Sequence, residues 1–175
     1  MWGVRGIGLK RLLWLAELGA LIGCGSGTTP PTTNRVEPQL SALRATQGTR
    51  YDLAADEGRG GHTLRNHVGR TDLELQERLR LEPYLSAAST WTDRETAEVT
   101  VAEALRAERK RVERWMQQGY PRSNLALHYN AGRILGRTLG RDAEQAVPCT
   151  TAVIVLRADG PSSYFVLTAY PEASE

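Results

Sequence analysis

Cysteine is scarce in this chain of 175 residues, which contains only Cys24 and Cys149. The two lie far apart, and the first falls in a segment typical of N-terminal processing. This scarcity excludes a scaffold stapled by several disulfides and a cysteine-rich zinc site. Aromatic residues are also few, at 6%, but hydrophobic residues make up 41% of the chain. The chain can therefore form a core, and its stability must come from packing.

A charge excess of either sign is lacking once the N-terminal segment is set aside. The chain has 22 basic and 20 acidic residues, of which residues 1–23 hold three basic and one acidic. Subtracting these leaves 19 of each sign from Cys24 onward. Net charge thus gives no support for nucleic-acid binding, and any anion site must be local. Lys110 is the only lysine beyond residue 10, so phosphate recognition would depend on the forked guanidinium of arginine.

A long hydrophobic run is lacking too, because Glu17 interrupts the apolar stretch near the N-terminus. The stretch is shorter than the ~20 apolar residues that a membrane-spanning helix requires. Basic residues precede it, which predicts a secretion signal over residues 1–24. Its last four residues, Leu-Ile-Gly-Cys, resemble the bacterial lipoprotein box, in which the cysteine is lipidated. We expect a secreted protein or an envelope lipoprotein anchored through Cys24. The alternative is an amphipathic N-terminal helix of a cytosolic protein.

The composition changes again after the signal. Residues 25–51 are rich in glycine, threonine, proline and polar side chains, which predicts a flexible linker. Organised sequence begins near Asp52. The first half of the remainder has the periodicity of helices and the second half that of strands. This order predicts one α+β domain over residues 52–175, with N-terminal helices followed by an antiparallel sheet.

Two capping boxes predict where helices begin. Thr71 and Thr92 are each followed three residues later by a glutamate, so the hydroxyl and the carboxylate can each accept a backbone N–H. One helix is predicted over residues 72–81, before Pro83, and another over residues 93–118, before Gly119. The predicted core contacts of the first helix are Leu73, Leu75 and Leu79.

The second half predicts a hairpin and two further strands. Residues 125–129 alternate, residues 130–132 read Asn-Ala-Gly, and residues 134–139 are expected to return as the partner strand. Residues 151–156 are apolar on both faces, which is typical of a central strand. In the strand over residues 164–170, strict alternation would divide two faces. One would hold Phe165, Leu167 and Ala169, and the other Tyr164, Val166, Thr168 and Tyr170.

Two of the three histidines, His62 and His67, share a segment bracketed by glycines. Five residues on a helix separate two side chains by ~140°, so a metal-binding pair at i and i+4 is not formed. A single imidazole suits general acid–base chemistry because its pKa of ~6.5 lies near working pH. The alternative is a histidine satisfied by backbone groups at a helix end. His128 lies in no comparable motif, which favours a structural or exposed role.

Three segments together resemble a known family. They are residues 60–72, which include Gly-Gly-His-Thr-Leu and His-Val-Gly-Arg-Thr-Asp, residues 89–97 (Ser-Thr-Trp-Thr-Asp-Arg-Glu-Thr-Ala), and residues 164–171 (Tyr-Phe-Val-Leu-Thr-Ala-Tyr-Pro). In this order they resemble the bacterial ribonuclease A-like toxin domain. That domain is found at the C-termini of contact-dependent growth inhibition and other polymorphic toxins. The resemblance covers about residue 56 to the end of the chain.

The resemblance implies a kidney-shaped, disulfide-free ribonuclease A-like fold that acts on RNA without a metal or another cofactor. Matching motif by motif, the implied catalytic residues are His67, Arg78, Thr168 and Tyr170, with His62 as a further candidate. Arg78 and Thr168 are also implied to bind substrate. Arg80 lies on the same helix, so the arginine assignment stays open at this point.

The implied reaction is transesterification of RNA to a 2′,3′-cyclic phosphate. It needs a base for the 2′-hydroxyl, a cation for the phosphorane and an acid for the departing 5′-oxygen. The division of the acid and base roles stays open. Expected partners are RNA, tRNA being one candidate, and a cognate immunity protein, with action in the cytoplasm of a target cell. The alternative is an envelope lipoprotein that uses the fold for binding or structure without catalysis.

Overall fold

The computed structural model describes residues 49–173. The helices are α1 (Leu53–Glu57), α2 (Thr63–His67), α3 (Asp72–Leu81), α4 (Arg94–Ala107) and α5 (Arg109–Met116). The strands are β1 (Ala87–Trp91), β2 (Leu125–Asn130), β3 (Gly136–Gly140), β4 (Val147–Cys149), β5 (Thr151–Ala158) and β6 (Tyr164–Glu172). None of these helices has the length and apolar character needed to cross a membrane. The predicted signal, Cys24 and the predicted linker up to residue 48 lie outside the described residues.

The strands form two antiparallel sheets, which gives the α+β class that the sequence predicts. The first sheet has the order β1-β3-β4 and the second the order β2-β5-β6. The prediction of a central strand over residues 151–156 is confirmed, because β5 lies between β2 and β6. Cys149 is the one cysteine in the described part of the chain, and its buried thiol is free.

The main core lies between the second sheet and helices α4 and α5. Leu127, Ile154 and Ala169 lie in register across the three strands and are fully buried. Trp91 of β1 joins this core, and its indole N–H donates a hydrogen bond of 2.9 Å to the carbonyl of Ala169. This bond ties the first sheet to the second. A smaller cluster packs α3 on the first sheet and consists of Leu75, Leu79, Ala88 and Leu139.

The predicted helix over residues 72–81 is confirmed, including its capping box. The hydroxyl of Thr71 accepts the N–H of Glu74, and the carboxylate of Glu74 accepts the N–H of Thr71. Leu73 is a wrong prediction, because 76% of it is exposed. Leu75 and Leu79 are four residues apart and share the buried face, whereas Leu73 lies two residues from Leu75, on the other side of the helix.

The predicted helix over residues 93–118 is wrong in two respects. It is two helices, α4 and α5, separated at Glu108, and α5 buries Val112 and Trp115 in the main core. Its N-cap is Asp93, whose carboxylate accepts the N–H of Thr96 at 2.7 Å. Thr92 does not form the capping box, because its hydroxyl donates to the carbonyl of Leu135 instead.

The predicted hairpin between residues 125–129 and 134–139 is also wrong. The turn exists, since Gly132 has a φ of 67° and donates its N–H to the side chain of Asn130. However, β2 pairs with β5 and β3 pairs with β1 and β4, so the turn passes the chain from one sheet to the other. Apolar alternation sets which side of a strand is buried, but it does not select the partner strand.

The alternation predicted for the last strand fails at one point. Thr168 pairs with Val155 and Val166 pairs with Leu156, so Leu167 is an extra residue in β6. The bulge shifts the pattern, and the consecutive residues Phe165 and Val166 are both buried. Beyond the bulge Thr168 and Tyr170 share one face, as predicted. That face lines the cavity described below.

Candidate active site

Helix α2 is anchored along the free edge of β6. The backbone N–H of His62 donates 2.9 Å to the carbonyl of Leu167, and the hydroxyl of Thr63 accepts the N–H of Ala169 at 2.8 Å. In the preceding helix α1, the buried carboxylate of Asp56 accepts the N–H of Val166 at 2.7 Å. These bonds satisfy edge-strand backbone groups and fix the short helix. The glycine-bracketed segment therefore lies beside the last strand.

His67 ends α2 and is buried, with 8% exposed. Its Nδ1 lies 3.2 Å from the carbonyl oxygen of Ser89. A carbonyl only accepts, so Nδ1 carries the hydrogen and Nε2 has a free lone pair. The ring stacks on Tyr170, with centroids 5.3 Å apart. Burial, assisted by the nearby cation of Arg78, lowers the pKa of His67 to about 4. The imidazole is therefore neutral at neutral pH.

Arg78 extends from α3 towards the same histidine. Its Nε donates to Glu82 at 3.1 Å and its Nη1 to the carbonyl of Asn66 at 3.3 Å. These contacts hold the guanidinium, and neither of them uses Nη2. Arg80 points elsewhere, since it pairs with Glu77 on the exposed side of the helix and does not line the cavity.

Thr168 and Tyr170 bring two hydroxyl groups from β6. Among the described residues none forms a hydrogen bond with the buried Oγ1 of Thr168. A buried hydroxyl without a partner is rare and is available to a ligand oxygen. Burial, followed by the charge of Glu172, raises the pKa of Tyr170, so its phenol keeps its proton.

A cavity of about 1050 Å³ unites these side chains. The structure brings all five candidate residues to its wall: His62, His67, Arg78, Thr168 and Tyr170. The pKa of His62 is lowered by partial burial and by the charge of Arg65. Ser89 and Thr138 of the first sheet also line the cavity, which therefore spans both sheets. A cavity of this size is at the upper end of the range of ligand-binding pockets, about 300–1,000 Å³.

Sequence reasoning missed a further pair on the cavity wall. The side chain of His128 is 61% exposed, in agreement with the expectation of an exposed residue, but it also lines the cavity. Its Nδ1 lies 3.2 Å from a carboxylate oxygen of Glu172. The signal that places them together is the strand order β2-β5-β6, which no local motif encodes.

The site has the parts for chemistry at a phosphodiester. A neutral imidazole with a free nitrogen can take a proton, a fixed guanidinium can stabilise an anionic phosphorus centre, and hydroxyls can donate to its oxygens. Within residues 49–173, histidine, cysteine and carboxylate side chains form no group of three that could hold a metal ion.

Comparisons with known proteins found a matching family profile and a similar chain of known structure. The sequence profile of the family described as bacterial CdiA-CT RNAse A domain matches residues 61–171. The chain is also similar to one in the crystal structure of the CdiA-CT/CdiI complex from Y. kristensenii 33638, with 28% identity and a TM-score of 0.58. That similarity covers 64% of this chain and 99% of the other. Among curated proteins no match was found. Because the profile spans more than half of its length, the chain belongs to the bacterial CdiA-CT RNAse A family and carries a ribonuclease toxin domain of that family.

Proposed function

We propose that this protein is a metal-independent endoribonuclease toxin that cleaves RNA by transesterification. The observation that supports this most directly is the neutral imidazole of His67, stacked on Tyr170 in the cavity that Arg78 also lines. In the reaction, the ribose 2′-oxygen forms a bond to phosphorus and the bond from phosphorus to the 5′-oxygen breaks. The products are a 2′,3′-cyclic phosphate and a 5′-hydroxyl end.

His67 serves as the base in this proposal. Its Nδ1–H is held by the carbonyl of Ser89, which fixes the ring and leaves Nε2 to accept the proton of the 2′-hydroxyl. Burial keeps the ring neutral, so the nitrogen is available at neutral pH. DNA lacks the attacking hydroxyl and should therefore be inert.

Arg78, Thr168 and Tyr170 would stabilise the charge that develops on the phosphorus oxygens. The guanidinium of Arg78 is fixed by Glu82 and Asn66 before substrate arrives. The unpartnered hydroxyl of Thr168 gains a hydrogen-bond partner when a phosphate oxygen binds. Donors fixed in advance avoid reorganisation during the reaction.

The full chain incubated with RNA in EDTA tests the proposal. Mass spectrometry should find 2′,3′-cyclic phosphate ends, and His67→Gln should reduce their rate of formation about 10²–10⁴-fold. Arg78→Lys should also lose most activity because lysine lacks the planar fork, whereas the matched control Arg80→Lys should retain it. Intact RNA at high protein concentration would contradict the proposal and favour a non-catalytic role.

We also propose that a cognate immunity protein binds this chain. The similar chain of known structure is in complex with a second protein, CdiI, which supports such a partner. An immunity protein encoded beside this chain should form a stable complex with it and block RNA cleavage. Cleavage that continues unchanged at saturating partner would contradict this.

Export through residues 1–24 and lipidation of Cys24 form a separate proposal that rests on sequence alone. Incorporation of radiolabelled palmitate should occur in the full chain and disappear in Cys24→Ser. Equal labelling of both chains, or of neither, would contradict lipidation at this residue.

A further inference from the structure

The cavity-facing side of the second sheet carries polar residues at alternate positions on the two outer strands, and Thr151 on the central strand. His128 pairs with Val153, which pairs with Tyr170, so these three residues lie in register across the sheet. Asn130, Thr151 and Glu172 form the next such row. Residues directly opposite one another in antiparallel strands project to the same face. The strand order therefore places His128 and Glu172 on the face that holds Tyr170.

The contact between His128 and Glu172 crosses β5 diagonally. The two residues lie on the outer strands, about 10 Å apart in the hydrogen-bonding direction, and in different rows. Their side chains nevertheless meet with an Nδ1 to Oε2 distance of 3.2 Å. Both must lean over the central strand to do so, and both line the cavity.

The contact also determines which imidazole nitrogen of His128 is available to bind substrate. A carboxylate only accepts hydrogen bonds, so Nδ1–H of His128 is the donor and Nε2 remains for a second partner. The exposed fractions of the two side chains are 61% and 41%. The imidazole is thus orientated by Glu172 and is accessible to a strand of RNA in the cavity.

The proposed reaction needs a proton donor for the departing 5′-oxygen, and the site residues described above are poor donors. His67 has a pKa of about 4 and so carries no proton to donate at neutral pH. Tyr170 has a raised pKa, which makes its phenol a weaker acid than usual. Partial burial and the charge of Arg65 lower the pKa of His62, so its imidazole holds a proton less readily than usual. The imidazole of His128 is the remaining side chain of the type suited to proton transfer near neutral pH.

We propose that His128 is the general acid of the cleavage reaction and that Glu172 is the positioning residue that orientates it. This inference rests on the proposed ribonuclease function. The 2′-oxygen attacks phosphorus as Nε2 of His67 takes its proton, and the bond from phosphorus to the 5′-oxygen breaks as Nε2 of His128 gives that oxygen a proton. Proton exchange with water then returns both imidazoles to their starting states.

Substrates with different leaving groups test this assignment. A dinucleoside phosphate releases an alkoxide, which needs a proton, whereas a ribonucleoside 3′-(4-nitrophenyl phosphate) releases a phenolate that leaves without one. The full chain would be assayed on both, with each of the four bases in turn. His128→Gln should slow dinucleotide cleavage about 10²–10⁴-fold, with much less effect on the nitrophenyl ester.

Three further variants complete the experiment. Glu172→Gln should show a smaller loss with the same dependence on the leaving group, which a purely structural role would not produce. His67→Gln should slow both substrates, because both reactions need the base. Glu144→Gln removes an exposed carboxylate away from the cavity and should change neither rate.

Two results would overturn the assignment of His128. One is unchanged dinucleotide cleavage by His128→Gln, and the other is an equal loss on both substrates. If the unmodified chain cleaves neither substrate, the proposed function fails and this inference fails with it. That outcome is distinct from the first two, in which the unmodified chain remains active.

Discussion

At the scale of the residue, the central feature is an imidazole kept neutral by burial. His67 is stacked on Tyr170 and lies near Ser89 and the cationic Arg78. Burial and the charge of Arg78 disfavour a second proton, and the carbonyl of Ser89 fixes the position of the first. The same surroundings make Nε2 the nitrogen that meets substrate. His67 is therefore suited to take a proton and poorly suited to give one.

This environment predicts the acidic limb of the pH–rate profile. Protonation of His67 removes the base, and its pKa is lowered to about 4 from an ordinary value of 6.5. The kcat/KM for RNA should therefore fall as pH drops through about 4 and remain high between that value and 6.5. Steady-state rates across the acidic range measure this. A limb centred on the ordinary histidine pKa would show that His67 is not the base.

The residues of the site differ in how far the sequence could predict them. His67, Thr168 and Tyr170 belong to local motifs, so a resemblance could point to them. Arg78 and Arg80 were not separable by motif, and the structure separates them because only Arg78 reaches the cavity. His128 could not be predicted, since its place depends on which strands pair.

At the scale of the element, a helix start was predictable where the capping side chain bonds to groups close to it in sequence, and not where a distant residue binds that side chain. The Thr71 box forms as predicted because its hydroxyl bonds to the backbone and the side chain of Glu74, three residues along the chain. At the next helix the hydroxyl of Thr92 is taken by Leu135, which is distant in sequence, and Asp93 becomes the cap. The failed hairpin has the same origin, because strand partners are chosen by long-range packing.

The capping assignment of α4 predicts a stability difference. Asp93→Ala should lower the free energy of unfolding by about 1 kcal/mol, because it leaves the N–H of Thr96 without its partner. Asp93→Asn keeps a side-chain acceptor and should lose less. Urea denaturation of the full chain, followed by tryptophan fluorescence, measures both. Equal losses would show that the aspartate does not act through the cap.

At the scale of the whole molecule, the cavity depends on how closely the two sheets approach. Gly136 of β3 lies at this junction: a Cβ there would be 2.1 Å from the carbonyl oxygen of Thr90 and 2.9 Å from the ring of Pro171. Only a residue without a side chain fits between β1 and β6. The first sheet thereby supplies Ser89 and Thr138 to a cavity that Thr168 and Tyr170 of the second sheet also line.

A substitution at this junction should destabilise the fold. Gly136→Ala should cost about 1–3 kcal/mol of unfolding free energy, because backbone atoms must move to admit the methyl group. Gly119→Ala is the matched control, since a Cβ there would meet nothing within 4 Å, and it should change stability by less than about 1 kcal/mol. Thermal unfolding of both variants measures the difference. Similar midpoints would contradict the close approach of the sheets.

The central claim is that this cavity cleaves a phosphodiester by using the neighbouring ribose hydroxyl. The most direct test is a DNA oligonucleotide that contains a single ribonucleotide, incubated with the full chain and followed by mass spectrometry from the earliest time points. We predict one cut, on the 3′ side of the ribonucleotide, with a 2′,3′-cyclic phosphate as the first product. Cleavage at deoxyribonucleotides would contradict the claim. So would a 3′ end that carries a linear phosphate or a hydroxyl and forms without a cyclic phosphate before it.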